Sequence, residues 1–473
     1  MTHFKAELNR TQFWVLMAMI LAFIGLKWNS MHLPYFWDEA WVYMPAIRTM
    51  AEQGPSIMPG SIDADLYTGH PLLFYFMASS WIKLWGYSNF VAHSLPVLIS
   101  ITLLISMYFI NLQWSKSANQ ALLASMLLAI QPNFLTQSSF LLIEVWLGLL
   151  FLWSFYFYFN KNWIGFGISI TLALWSKESA FCLLPAFGLI ALIERWINNT
   201  TSKEMWARIA GIFTLFLIGF SFFLIQKSKL GWYFFPRHAN WITLADFKWK
   251  MEVAFTSYFV SDARSFIYAA FILSIVVAYF MGLRLNMQQR LIVAGSFIFA
   301  FGFMVFASIN FFSSRYLLGA HTLLLSSVAL VLFSIPNKIY QITLLFVLPV
   351  FGLNNIDNSR KLNNFSDVDL SFEYLVQAEL DMVRYLEEKK YPEKIHAPFL
   401  MLVNLTNHHS GFVKQGFTNI SGDILSETNT YFIKVPNEPD PVFDSLQIAL
   451  NLQLEHRTSC KQAWVELYKK PTQ

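Results

Sequence analysis

Between residues 12 and 353 the chain alternates long apolar runs with short polar turns, and after residue 353 that alternation stops. The apolar runs lie at 12–28, 90–112, 118–131, 141–159, 163–176, 179–196, 208–226, 265–282, 291–309, 316–335 and 339–353. A helix crossing the hydrocarbon core of a bilayer needs roughly 20 residues, so these runs predict about eleven transmembrane helices. Two further stretches read as helices lying on the membrane surface. Residues 71–85 are apolar but short and carry Lys83 near their end, and 39–53 sets Trp41, Val42, Met44, Ala46, Ile47 and Met50 against Glu39, Arg48 and Glu52.

These spans divide the chain. Residues 1–353 form a transmembrane domain, with a first outer loop at 29–89 holding the surface helices and a second at 227–264. The second loop gathers Trp232, Tyr233, Phe234, Phe235, Pro236, Arg237, His238 and Trp241, a mixture suited to a lipid headgroup, a sugar face or a plain interfacial belt. Residues 354–473 are polar and read as a small soluble α/β domain. It has a helix at 371–389 behind Ser371 and strand-like runs at 396–404, 430–435 and 463–468.

Composition supports the membrane reading. Of 473 residues 56% are hydrophobic, 18% aromatic and only 13% charged, too little polar surface to cover a soluble globule. The net charge of +4 is scattered and gives no support for nucleic-acid binding. Lys5 and Arg10 precede the first run and Lys27-Trp28-Asn29 follows it without a small-residue cleavage site, which predicts a retained span with a cytoplasmic N-terminus. Lys116, Lys161, Arg195, Lys203, Arg208, Arg284, Arg290 and Lys338 then fall in short cytoplasmic turns, and the C-terminal domain lies outside. Cys182 sits in an apolar run and Cys460 in the polar tail, so no disulfide is expected.

On this topology ionisable residues collect at the outer ends of the spans. Asp38 and Glu39 follow the first span inside Tyr35-Phe36-Trp37-Asp38-Glu39-Ala40-Trp41, among rings that favour the lipid–water boundary. His70 precedes Pro71, Glu144 begins the fourth span, Lys177 ends the fifth, and Arg315 opens the tenth. Each has a bland account: Asp38 and Glu39 starting a helix, His70 capping a turn, Lys177 pairing with Glu178, Arg315 snorkelling to phosphates. Charges at a membrane edge are costly unless paired or solvated, and their convergence on one face outweighs any single bland account. Lys177, Arg315 and His70 suit a lipid-linked phosphate, and Asp38 or Glu39 suits deprotonation of an incoming hydroxyl or amine. The carboxylates leave room for a divalent ion, but no ligand spacing requires one, and no cofactor is expected. No phosphate-binding loop, HExxH or GxSxG pattern points to another engine.

The ordered segments WDEAWVYMPAIRTMAEQG, GHPLLFYFMASSWIKLWGYSNFVAHSLPVLIS, SSFLLIEVWLGLLFLW, LALWSKESAFCLLP and SRYLLGAHTLLL resemble the protein O-mannosyltransferase and aminoarabinose-transferase superfamily. These are membrane glycosyltransferases of the GT-C fold that use polyprenyl-phosphate-linked monosaccharides. The resemblance covers roughly residues 10–335 in degenerate pieces. It implies that Asp38 with Glu39 is catalytic, that His70-Pro71-Leu72-Leu73 stands where the family has Lys/His-Pro-Pro-Leu, and that Glu144, Lys177 and Arg315–Leu318 take family positions. Leu72 replaces the second proline, Glu144 an aspartate and His93 a common arginine, as in a divergent member with its own donor or acceptor.

The resulting expectation is an inverting glycosyltransferase of the plasma (inner) membrane. Asp38 acts as base with Glu39, His70, Lys177 and Arg315 hold the donor phosphate, and Glu144 orients acceptor or base. Its partners are a lipid-linked sugar donor, membrane lipid, and a protein, lipid or glycan acceptor. The rival is a transporter or flippase for a lipid-linked sugar, which predicts internal repeats with paired broken helices that the sequence does not show.

Overall fold

A computed structural model describes residues 10–198, 201–239, 242–262 and 264–471; Lys5 and Trp241, and the side chains of Arg10 and His238, lie outside what it describes. Each of the eleven apolar runs contains a helix. Among the described residues six helices are long and apolar enough to cross a membrane alone: Asn89–Ser115, Glu178–Ile197, Ser202–Leu230, Met287–Ile309, Ser314–Leu332 and Lys338–Arg360. A seventh span arises if Phe247–Phe259 and Arg264–Phe280, bent by 72° at their junction, count as one. The protein is thus a mostly helical, multi-pass membrane protein with six or seven candidate spans on length and composition. Of the remaining apolar helices, Thr11–Lys27 is as long as its run, and Ala118–Ala129, Glu144–Phe159 and Trp163–Leu174 are shorter than theirs. Ala118–Ala129 stops ahead of Pro132, which opens its own helix Pro132–Gln137. Trp163–Leu174 starts where its run does, capped by Asn162, whose side chain accepts from Gly165 N.

Small and polar residues bring the central helices together, as expected where lipid removes the hydrophobic drive between them. Glu144–Phe159 and Leu318–Leu332 cross at Gly148 and Gly319, where a Cβ on Gly148 would lie 3.7 Å from Gly319 Cα. Asn111 Nδ2 donates to Ser326 Oγ (3.1 Å) and Gln120 Nε2 donates to Asn111 Oδ1 (3.2 Å), linking three helices through buried polar groups.

The segment after the first helix is packed. Trp37 has φ +52°, in the left-handed region that costs a bulky residue strain, and a five-residue π-turn, Glu39–Tyr43, runs on into the helix Met44–Gln53. Met44–Gln53 buries Met44, Ala46, Ile47 and Met50 as its pattern predicted. The stretch 71–85 becomes the helix Leu73–Trp85, whose Tyr75 stacks on Tyr43 with centroids 5.3 Å apart and planes within 6°. Part of the stretch read as a second loop is helical: Ser202–Leu230 extends into it and Phe247–Phe259 lies within it. There Trp232 and Phe235 crowd Gly69, where a Cβ would lie 2.9 Å from the Trp232 ring and 2.9 Å from Phe235 Cβ, so this aromatic segment closes over the residue before His70.

Beyond Arg360 the helix Phe372–Lys389 packs on a five-stranded mixed sheet: β1 (Lys394–His396), β2 (Ile420–Ser421), β3 (Asn429–Lys434), β4 (Gln453–Cys460) and β5 (Ala463–Lys469). The order is β2-β1-β3-β5-β4, with β1 parallel to β2 and β3, and β5 antiparallel to β3 and β4. The strand expected at 396–404 is a correction. Only His396 belongs to β1, and Phe399–Thr406 is a helix begun by Pro398 and carried by Leu, Met and Asn rather than by β-branched residues. This region docks on the first polar segment: Tyr35 N donates to Ser410 O (3.0 Å), Phe36 lies 5.6 Å from Phe372, and Trp41 meets Phe399 edge-on at 5.4 Å. Cys182 and Cys460 are both free thiols.

The Gly148–Gly319 crossing makes a direct prediction. A methyl at Gly319 would lie 2.7 Å from the Phe151 ring, so Gly319→Ala should lower stability by about 1–3 kcal/mol. Thermal unfolding in detergent would show a lower midpoint, whereas Gly188→Ala, whose Cβ meets nothing within 4 Å, should not lower it.

Candidate active site

Four of the six residues singled out in the sequence line one cavity of about 190 Å³: Asp38, His70, Lys177 and Arg315. They come from four separate segments. Asp38 follows strained Trp37, and His70 follows Gly69, which itself has φ +72°. Lys177 sits between two apolar helices in extended backbone, and Arg315 lies in the short 3-10 turn that opens Leu318–Leu332. Glu178 and Tyr316 complete the polar side, while Phe303, Phe306 and Phe311 form an apolar wall.

Arg315, only 3% exposed, is the hub. Its guanidinium donates to Asp38 Oδ2 through Nη2 and to Asp367 Oδ2 through Nη1, and its Nε lies 3.7 Å from Glu144 Oε1. Lys177 Nζ donates to the same Glu144 oxygen at 2.9 Å and rests 4.1 Å from the centre of the Tyr316 ring. His70 Nδ1 lies 2.8 Å from Glu178 Oε2, so Lys177 pairs with Glu144 and leaves neighbouring Glu178 to the histidine. Burial alone would pull the Lys177 ammonium down, but the Glu144 carboxylate outweighs it and holds Lys177 above its usual range. Burial pushes Asp367 above the usual carboxylate range despite the opposing pull of Arg315.

The adjacent acids Asp38 and Glu39 part company. Asp38 keeps 23% of its side chain exposed, lines the cavity and accepts from Trp41 Nε1 at 3.2 Å. Glu39 is fully buried and does not line it. Its Oε1 lies 3.0 Å from His93 Nε2 and accepts from Leu141 N at 2.7 Å, while Oε2 accepts from Phe36 N at 3.4 Å. Glu144 likewise stands behind the cavity wall, bound to the two cations. Asp367 was missed. It lies in the polar segment after the last apolar helix, in Ser366-Asp367-Val368-Asp369, and nothing in that composition signals a partner 52 positions away. His93 stood out only as a substitution, and its bond to Glu39 gives it a structural task. Among the described residues no group of three or more His, Cys, Asp or Glu has a geometry able to hold a metal ion.

The arrangement offers two cavity-lining carboxylates, Asp38 and the His70-bound Glu178, beside three basic side chains, with an apolar flank. That combination can deprotonate one reactant while neutralising the phosphate of another. The paired cations predict a clear energetic signature. Glu144→Leu leaves Lys177 buried without its partner and should cost about 3–5 kcal/mol, whereas Glu144→Leu with Lys177→Met removes both charges and should recover most of it. Thermal unfolding of the four-member cycle measures this, and simple additivity of the two single losses would contradict it.

Comparison with known proteins adds an independent line. Residues 69–225 match the family profile described as dolichyl-phosphate-mannose-protein mannosyltransferase, a region that holds His70, Glu144 and Lys177 but neither Asp38 nor Arg315. No curated protein matches the chain in sequence. Among solved structures, ArnT from Cupriavidus metallidurans bound to undecaprenyl phosphate superposes with a TM-score of 0.58 at 12% identity, covering 96% of this chain and 98% of that one. Its apo state gives 0.58 at 12% identity, covering 97% and 98%. The archaeal oligosaccharyltransferase AglB from Archaeoglobus fulgidus, in complex with an inhibitory peptide and a dolichol-phosphate, gives 0.52 at 11% identity, covering 89% of this chain and 69% of that one. At such identity the likeness concerns the fold, which is shared over nearly the whole chain. The chain thus shares its fold with ArnT over nearly its whole length, and residues 69–225 are similar to the dolichyl-phosphate-mannose-protein mannosyltransferase family.

Proposed function

We propose that this protein transfers a monosaccharide from a polyprenyl-phosphate carrier to an acceptor on the outer face of the plasma membrane, with inversion at the anomeric carbon. The observation that carries this reading is the cavity in which Asp38 faces His70, Lys177 and Arg315 beside the Phe303–Phe306 wall. A lipid-linked phosphate needs cations for its head and apolar surface for the first units of its tail, and both border this cavity. The undecaprenyl phosphate bound to ArnT and the dolichol-phosphate bound to AglB alongside an inhibitory peptide are polyprenyl phosphates of the expected kind in proteins of the same fold.

In the proposed step the acceptor hydroxyl or amine attacks the anomeric carbon from the side opposite the phosphate. Its proton passes to Asp38, the bond from carbon to phosphate oxygen breaks, and the electron pair leaves with the polyprenyl phosphate. Lys177, Arg315 and His70 stabilise the charge that gathers on the departing phosphate. Glu39 acts as a positioning residue, fixing the π-turn from behind through His93 and Leu141 N, rather than as a second base. Glu144 holds Lys177 and Arg315 in place. The eleven apolar helices as crossings, a cytoplasmic N-terminus, and the division into a membrane domain of residues 1–353 and an outer domain of 354–473 complete the reading.

Two outcomes test it. Asp38→Asn should lower transfer from a polyprenyl-phosphate sugar by at least about 10²-fold, the usual contribution of a general base, while thermal unfolding stays near that of the unaltered protein. Transfer at the unaltered rate would remove Asp38 from the mechanism. Arg315→Lys keeps the charge but loses the fork that holds two carboxylates and a phosphate, so both kcat and donor affinity should fall, read as a lower kcat/KM for the donor.

A further inference from the structure

Glu379, on the helix Phe372–Lys389, is a fully buried carboxyl group outside the transfer cavity. Its partner is Asn404, on the helix Phe399–Thr406, whose Nδ2 donates to Glu379 Oε2 at 3.0 Å. The remaining oxygen of each side chain, Glu379 Oε1 and Asn404 Oδ1, has no partner among the described residues. Orphaned oxygens occur elsewhere, but these two belong to side chains already bonded to each other. A buried carboxylate with one neutral partner is costly, and two bare oxygens cannot satisfy each other. One proton on Oε1 removes both difficulties. The acid then donates to Asn404 Oδ1 while accepting from Nδ2, closing an acid–amide ring with neither oxygen left over.

The surroundings favour that proton. Burial holds the Glu379 carboxyl well above the usual carboxylate range, and Glu438 pushes it the same way, against the Asn404 bond. Glu438 itself accepts from Leu400 N at 3.0 Å. On its own helix the neighbours of Glu379 three and four positions away are Leu375, Val376, Met382 and Val383, and Phe399–Thr406 carries no charge. The charged groups of the two strands packed on its helix have other partners. Arg457 lies 3.2 Å from Glu466, His456 stacks on Tyr385 with centroids 3.6 Å apart, and Glu455 accepts from Tyr391 at 3.4 Å. Lys469 lies 5.7 Å from the Tyr431 ring. Beyond the Asn404 helix, His408 and His409 stack on each other.

The Asn404 helix is also where the C-terminal region grips the segment carrying Asp38. Asn404 O accepts from Ser410 Oγ at 3.2 Å, and Ser410 O accepts from Tyr35 N at 3.0 Å. Phe399, which opens the helix, meets Trp41 edge-on. Tyr35 and Trp41 bracket Asp38 in the chain.

We infer that Glu379 is a protonated acid locked to Asn404, a pH-sensitive latch that seats the helix Phe399–Thr406 against the Asp38 segment. The unfolded chain releases this proton at about pH 4.3, the ordinary glutamate value. The latch therefore contributes fully below that pH, and its contribution is lost as pH rises toward the raised folded value.

The test compares the full chain in lipid nanodiscs with Glu379→Gln, whose amide keeps a donor and an acceptor but cannot ionise. Hydrogen exchange of peptide 399–410, read by mass spectrometry at matched pH, should agree within about twofold at about pH 4. At higher pH the unaltered protein should exchange faster, by up to about tenfold for each further unit, because opening lets Glu379 lose its proton. Intrinsic exchange cancels in the ratio. A ratio constant with pH would overturn the inference and place any titrating group elsewhere, Glu438 included. So would a Glu379→Gln protein that fails to fold at low pH, where the amide should serve as well as the acid. Infrared spectra supply a second reading. The carbonyl band of a protonated carboxyl should persist at neutral pH and weaken in Glu379→Gln, and a band unchanged by the substitution would contradict the latch. No substrate takes part, so the outcome is independent of the transfer reading.

Discussion

A single buried guanidinium organises the molecule. Arg315 begins an apolar helix with 3% of its surface exposed, and removing the partner of such a charge costs several kcal/mol. Its compensation comes from three segments far apart in the chain: Asp38 after the first helix, Glu144 at the start of a central helix, and Asp367 beyond the last apolar one. Forming the site and docking the C-terminal region on the membrane part are therefore one event. The Phe36–Phe372 and Phe140–Phe372 ring contacts, with centroids 5.6 and 4.5 Å apart, add apolar burial beside that junction.

The same network sets the condition for catalysis. The basic groups facing the cavity are held by carboxylates, so in the proposed mechanism a phosphate would enter a site whose basic groups are already oriented and would compete with Asp38 and Asp367 for the Arg315 fork. Displacing Arg315 from Asp38 would release that carboxylate to take a proton from the acceptor, which couples donor binding to activation of the base. Trp37, with its positive φ, immediately precedes the two acids, and at the start of the π-turn Asp38 lines the cavity while Glu39 is buried in protein, giving two adjacent acids opposite environments.

Most of this was legible where chemistry is local. Apolar runs locate helices because backbone groups in lipid must be satisfied within the helix, and eleven runs gave eleven helical stretches. Their lengths were less legible, because breakers such as Pro132 trim a run in ways that hydropathy averages over. Asp38, His70, Lys177 and Arg315 were readable because a charge beside an apolar run is costly and so conspicuous. Asp367 was not, since one acid in a polar segment costs nothing until tertiary contacts bury it. The separate fates of Asp38 and Glu39 were equally hidden, because Glu39 is tied to His93 and Leu141 N by tertiary contacts. The helix at 399–406 was mistaken for a strand because a short apolar run carries no period long enough to separate the two.

The central claim is direct displacement at the anomeric carbon by an acceptor that Asp38 deprotonates. The most direct measurement gives purified protein a polyprenyl-phosphate sugar of known anomeric configuration and determines the configuration of the new glycosidic bond by NMR. Inversion is the predicted result. Retention would require a covalent or front-face path and would contradict the account.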